Sequence, residues 1–223
     1  MRSNRLVPVG LLALSAIPVL AGALRLTELA GGGPGLPDDR VLAAPVPLAL
    51  HIVSATVFSA LGAFQFVPGL RRRRRWHRLA GRVVLPAGLL AALSGLWLAL
   101  FLPPGALDSH TLAVVRVVVA VAMTGSLVLG LAAIRRRDFP RHRAWMIRGY
   151  ALGLGAGTQA FTNAAWLAAA GPLTTTGRTV TLTAGWLINI AVAEWIIRRP
   201  LRGSGAPARP GRAAPRRGSP VRS

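Results

Sequence analysis

Six apolar stretches recur along the chain: Leu6 to Leu26, Val46 to Val67, Leu79 to Leu102, Thr111 to Ile134, Ala144 to Ala170 and Val180 to Ile197. Each is near the ~20 residues an α-helix needs to cross a hydrocarbon core of ~30 Å. The pattern predicts an all-α integral membrane protein of six transmembrane helices, with helices 2 to 5 forming a central four-helix bundle joined by short turns. No intervening segment is long enough to bury a soluble core. Residues 1–200 therefore read as one polytopic membrane domain. Residues 201–223 are mostly Pro, Gly, Ala, Ser and Arg, a composition that predicts a disordered basic tail. The first stretch has a second reading. Met1 to Arg5 is a charged lead, and Ala21-Gly22-Ala23 after Pro18 resembles a signal-peptide cleavage site. The length of the apolar run favours a retained helix.

Charge orients the spans. The chain carries a net charge of +21, which by itself could suggest nucleic acid. Its distribution argues for a membrane instead. All the arginines except Arg25, Arg40, Arg116 and Arg178 fall at the N-terminus, between Arg71 and Arg82, between Arg135 and Arg148, or from Arg198 onward. Those places share one side if every span crosses. Glu28, Asp38, Asp39 and Asp108 share the other. The positive-inside rule then predicts a bacterial inner-membrane protein with both termini in the cytoplasm, its basic rim facing anionic lipids. No nucleic-acid partner is expected.

The absence of cysteine removes disulfides, thiolate metal sites and covalent haem attachment. No phosphate-binding glycine loop, His-Glu-x-x-His or Gly-x-Ser-x-Gly motif occurs. An internal duplication does. One hairpin runs from His51 through an arginine run to Trp76-His77-Arg78, and the next from His110 through Arg135-Arg136-Arg137 to Arg141-His142-Arg143.

The four histidines thus fall one each on four consecutive spans, alternating sides. In an up-down bundle the second and fourth helices stand diagonally, as do the third and fifth. His51 is then expected to face His110 on the outer side, and His77 to face His142 on the inner. Neutral imidazoles on diagonal helices can sandwich a porphyrin, so the layout predicts two haem b groups stacked across the bilayer, with these four histidines as iron ligands. Helical phase at ~100° per residue adds Gly62, Gly88 and Gly153. Each lies eleven residues past a histidine, on its face and roughly 16 Å along, where a flat macrocycle needs small neighbours. The fourth span has Val121 at that place. Arg116, ~9 Å along its helix from His110, is a candidate partner for a haem propionate or a snorkelling side chain.

Plainer readings stand beside these. Histidine is tolerated at the margins of a bilayer better than at its centre, and glycine faces such as Gly149, Gly153 and Gly157 suit close helix packing. Asp108 and Ser109 read as a helix cap directly before His110. Glu194 is expected to pair with Arg198, and Pro86 to kink the third helix.

The strings Leu-Gly-Ala-Phe-Gln-Phe at 61–66, Arg-x-x-x-x-x-His-Arg-x-x-Gly-Arg ending at Arg82, and His-Arg-x-Trp-Met-Ile-Arg at 142–148 resemble the predicted bacterial membrane proteins known as domain of unknown function 2306. That resemblance spans about Leu48 to Trp166. It implies several membrane crossings and supplies no reaction. In layout alone the histidines are similar to the six-helix, two-haem b-type cytochromes of the ascorbate-dependent ferrireductase class, which pair ligands on the second and fourth and on the third and fifth helices. The expectation is a dihaem cytochrome carrying electrons from an unknown donor to an unknown acceptor. The alternative is a haem-free membrane protein of the same family, acting as a small transporter or assembly partner.

Overall fold

The computed structural model describes residues 3–32, 43–67, 69–70 and 73–199. The tail from 201 onward, Asp38, Asp39, Arg71 and Arg72 lie outside them. Among the described residues the chain forms α1 (Ser3–Leu29), α2 (Pro45–Gln65), α3 (Arg74–Phe101), α4 (His110–Arg135), α5 (Phe139–Gly153), α6 (Gly155–Ala170) and α7 (Thr175–Arg198), with no strand. Five of them, α1, α2, α3, α4 and α7, are long and apolar enough to cross a membrane.

The starts of these helices follow from local chemistry. Pro45 and Pro47 open α2, where a missing N–H costs nothing. Ser109, Asp138 and Thr174 cap α4, α5 and α7 by accepting from the amides of Leu112, Arg141 and Gly177. Arg137 adopts φ 60° in the turn that folds α5 back on α4.

The expected fifth span is not one helix. The stretch from Ala144 to Ala170 is broken at Leu154, between the 15-residue α5, which starts earlier at Phe139, and the 16-residue α6. Gly153, Gly155 and Gly157 weaken the helix there. They also let two neighbours approach: a side chain at Gly155 would strike the Trp186 indole, and one at Gly157 the backbone of Leu14. The break is bridged by Asn189 of α7, whose Nδ2 donates to the Ala151 carbonyl at 3.0 Å while its Oδ1 accepts from Thr158 Oγ1 at 2.7 Å. In apolar surroundings such backbone groups need partners of this kind.

Packing follows chain order. α2 lies on α3, α3 on α4, α4 on α5 and α6 on α7; α1 packs on α2 and α6. α5 also reaches α2, α3 and α7. Its Tyr150 and Leu152 join Phe58, Ala87, Met123 and Leu127 in the buried core. Glycine and alanine allow this close approach, since dispersion rather than the hydrophobic effect joins helices in lipid. Beyond the break α6 swings away from this core to meet α1 and α7. The arginine-rich turns before α3 and α5 mark one end of the molecule, here the basic end; the 102–109 loop marks the far end.

Candidate far-end cavity

The sideways step at Leu154 leaves a gap in the far-end half. α5 fills the middle of the core toward the basic end, whereas α1, α2, α3, α4, α7 and α6 surround an open space toward the far end. That space is a cavity of about 550 Å³, within the range of small-molecule and cofactor sites. Phe58, Met123 and Leu154 line its deep end, and Asp108, Arg116 and Arg178 its mouth.

His51 stands on its wall. It lies six residues into α2, as Arg116 lies six into α4 and Gly95 six before the end of α3, so all three sit roughly 9 Å below the far end. Gly95 gives the imidazole room, with His51 Cε1 3.1 Å from where a side chain would begin. Its Nδ1 lies 2.9 Å from the Ala91 carbonyl oxygen and 3.3 Å from Ser94 Oγ. A carbonyl only accepts, so Nδ1 carries the proton, and the neutral ring keeps its lone pair on Nε2. Metal-binding histidines adopt this arrangement when a carbonyl holds the other nitrogen.

The other predicted ligands are placed differently. His110 is the first residue of α4, exposed and not on the cavity wall. His142 donates from Nδ1 to the Gly130 carbonyl at 2.8 Å, tying α5 to α4. His77 is half-buried near the start of α3. Neither of these two lines the cavity. Among the described residues no three His, Asp or Glu side chains converge to hold a metal ion.

The glycines predicted to face a porphyrin are covered by the chain's own rings. Phe58, only 3% exposed, lies against both Gly88 and Gly153, and Tyr150 lies against Gly62. Tyr150 donates its hydroxyl to the Ser59 carbonyl at 2.8 Å and stacks at a tilt on Phe58 and Phe66, with ring centroids 5.6 and 4.9 Å away. His51, on the wall of the far-end cavity, is the residue that could hold a porphyrin there, whereas beside Gly62, Gly88 and Gly153 the space is taken by Tyr150 and Phe58.

The mouth carries a charge cluster that the sequence did not reveal. Asp108, 4% exposed at its side chain, accepts two bonds from Arg116 at 2.9 and 3.1 Å, one from Arg178 Nε at 3.0 Å and one from the Gly105 amide at 3.2 Å. Ser109 and Thr179 hydroxyls meet beside it at 2.7 Å. Arg116 is thus neither alone nor simply snorkelling. No short spacing links it to Arg178, so only the folded chain brings them together. At the basic end Glu194 accepts from Arg148 Nε and Nη2 at 2.6 and 3.1 Å and also pairs with the expected Arg198 at 3.5 Å.

Burial alone would raise the Asp108 carboxyl, but the bidentate Arg116 contact, helped by the Gly105 amide and Arg178, holds it well below the usual carboxylate range. A group depressed in the folded state stabilises fully above its unfolded value of ~4. That contribution is lost as pH falls through the lower folded value. The thermal midpoint in detergent is accordingly expected to change little through Asp108 between pH 7 and 5 and to fall with further acid. Asp108→Asn should begin with a lower midpoint at pH 7, reflecting a stability loss of about 1.5–3 kcal/mol for bonds to charged groups, and show a shallower acid limb. Equal acid limbs would show that Asp108 is not the linked group.

The family of predicted membrane proteins described as DUF2306 matches residues 48–197. The chain belongs to this family. The match takes in α2 from Leu48 onward, α3 to α6 and nearly all of α7, reaching past Trp166, where the sequence resemblance stops. This is a multi-pass membrane protein of a family without an assigned reaction, embedded in a lipid bilayer. No curated protein and no solved structure matches it.

Proposed function

We propose that this DUF2306 protein holds one haem b in its far-end cavity, where His51 would bind it, and takes part in membrane electron transfer. The observation that carries the reading is the His51 ring. It stands on a cavity of about 550 Å³ with its Nδ1 proton committed to Ala91, so Nε2 is left as the donor atom. The Ala91 carbonyl would keep the ring in this tautomer and raise its basicity. Arg116, at the same level, would pair with a propionate. Phe58 and Met123 would close the deep end to water. The bound haem would supply the one-electron chemistry. Cysteine's absence requires that histidine and packing alone retain it.

In this reading α5 and α6 together make the fifth of six crossings. The arginine distribution supports a cytoplasmic basic end, with both termini there and its rim on anionic lipids. The cavity then faces the outer side of a bacterial inner membrane. A second, haem-free reading, as a small transporter, draws support from the break at Leu154. Discontinuous helices lining a midplane cavity are a transporter device.

Absorbance separates the two. Protein purified from haem-replete cells is expected to show a Soret band and a sharpened α-band on reduction with dithionite. Folded protein without these bands, still colourless after incubation with haemin, would leave the haem-free reading standing.

A further inference from the structure

We propose that Arg116, Asp108 and Arg178 form an anion-exchange latch, in which the carboxylate or phosphate of an amphipathic ligand displaces Asp108 from between the two guanidinium groups. The proposal rests on the cavity being the ligand site, and not on the ligand being haem.

Three observations carry it. First, the described ion pairs of Arg116 and Arg178 are both with Asp108, so two positive charges share one negative charge. Arg178 uses Nε for Asp108, which leaves its two terminal nitrogens as further donors. Second, all three residues line an otherwise mostly apolar cavity. An apolar body inside and an acidic group at the mouth would satisfy both surfaces, because planar guanidinium forks match carboxylate and phosphate oxygens. Third, Asp108 belongs to the 102–109 loop and not to a helix. It can leave without unwinding an element. Its departure would free the loop and release one of the polar ties between the start of α4 and α7, where the surround of the cavity is joined by Asp108 to Arg178 and by Ser109 to Thr179.

Asp108 therefore acts as an internal competitor. It neutralises the arginines when no ligand is present and lowers apparent affinity by whatever its own bonds are worth. Removing its charge should tighten binding of an acid, while removing Arg178 should weaken it. A purely structural ion pair predicts that both changes act in the same direction.

The test uses the full chain with His51→Ala, so that the proposed haem ligand is absent, in phosphatidylcholine nanodiscs. The probes are 16-doxyl-stearic acid and its methyl ester, with the motionally restricted fraction read by electron paramagnetic resonance. The acid is expected to bind about tenfold more tightly than the ester, a difference of about 1.4 kcal/mol. Adding Asp108→Asn should strengthen acid binding and leave the ester unchanged. Adding Arg178→Gln should bring the acid to the level of the ester, and Arg178→Lys should restore part of the preference. In nanodiscs containing phosphatidylglycerol, loss of acid binding would identify a lipid phosphate as the occupant, and its persistence a free carboxylate. Equal binding of acid and ester, or weakening by Asp108→Asn to the extent seen with Arg178→Gln, would overturn the proposal. Haem content is read separately by absorbance in the His51 protein, so a colourless protein that prefers the acid defeats the haem reading alone.

Discussion

His51→Ala is expected to fold and to contain no haem, whereas His110→Ala should keep the full complement. The difference follows from position. Both residues lie toward the far end, but only His51 is on the wall of the cavity, with its ring oriented by Ala91 and Ser94. His110 is exposed at the first position of its helix, where Ser109 already caps the chain. Replacing His51 removes a hydrogen bond worth about 0.5–1.5 kcal/mol, a modest fraction of a domain's stability, so the fold should survive. A second orienting change offers a finer check. Gly95→Ala would put a methyl group about 3.1 Å from the imidazole and should shift the Soret position or lower haem retention without emptying the site. The outcome that counts against the assignment is haem loss in His110→Ala with retention in His51→Ala. His77→Ala and His142→Ala are expected to remain coloured. A chain with two stacked haems would instead lose about half its haem in either, the outcome that diagonal pairing of these residues implies.

Gly157→Leu should be the most damaging of the glycine substitutions. Its added side chain would run into the carbonyl of Leu14 in α1. Backbone cannot turn aside as a flexible side chain can, so the two helices must separate. Overpacking commonly costs about 1–3 kcal/mol and sometimes more. Here it would also disturb the wall of the cavity, to which both Gly157 and α1 contribute. Gly81→Leu is the matched control, because nothing lies within 4 Å of a side chain at Gly81. The expected result is a clear fall in thermal midpoint and easier proteolysis of α1 for Gly157→Leu, with Gly81→Leu close to the parent. Equal midpoints would mean that α1 does not pack on α6 as described.

Much of the architecture was legible along the chain because lipid leaves few options. Apolar runs of sufficient length become helices, and Pro45, Ser109, Asp138 and Thr174 open them for reasons of backbone chemistry. The break at Leu154 was hidden. Ala144 to Ala170 has no polar interruption there, and the three alternate glycines also suit an intact helix that packs closely. Their partners, Trp186 and Leu14, are distant in sequence.

The candidate site was read in part. The glycines eleven residues past His51, His77 and His142 read in the sequence as room for a macrocycle, whereas in the folded chain Tyr150 lies against Gly62 and Phe58 against Gly88 and Gly153. Phe58 lies seven residues from His51, almost in phase with it at 100° per residue, and its own ring occupies the notch formed by Gly88 and Gly153. Arg116 was visible as an intramembrane charge, but its partners were not. Asp108 reaches it from a loop, and Arg178 from another helix 62 positions along the chain.

The number of haems per chain is the most direct test. Pyridine haemochrome absorbance, set against protein concentration from amino-acid analysis, should give one haem b for each polypeptide in saturated wild-type protein. Two per chain would mean that Phe58 and Tyr150 give way to a second group at the basic end, and none would remove the proposed role of His51.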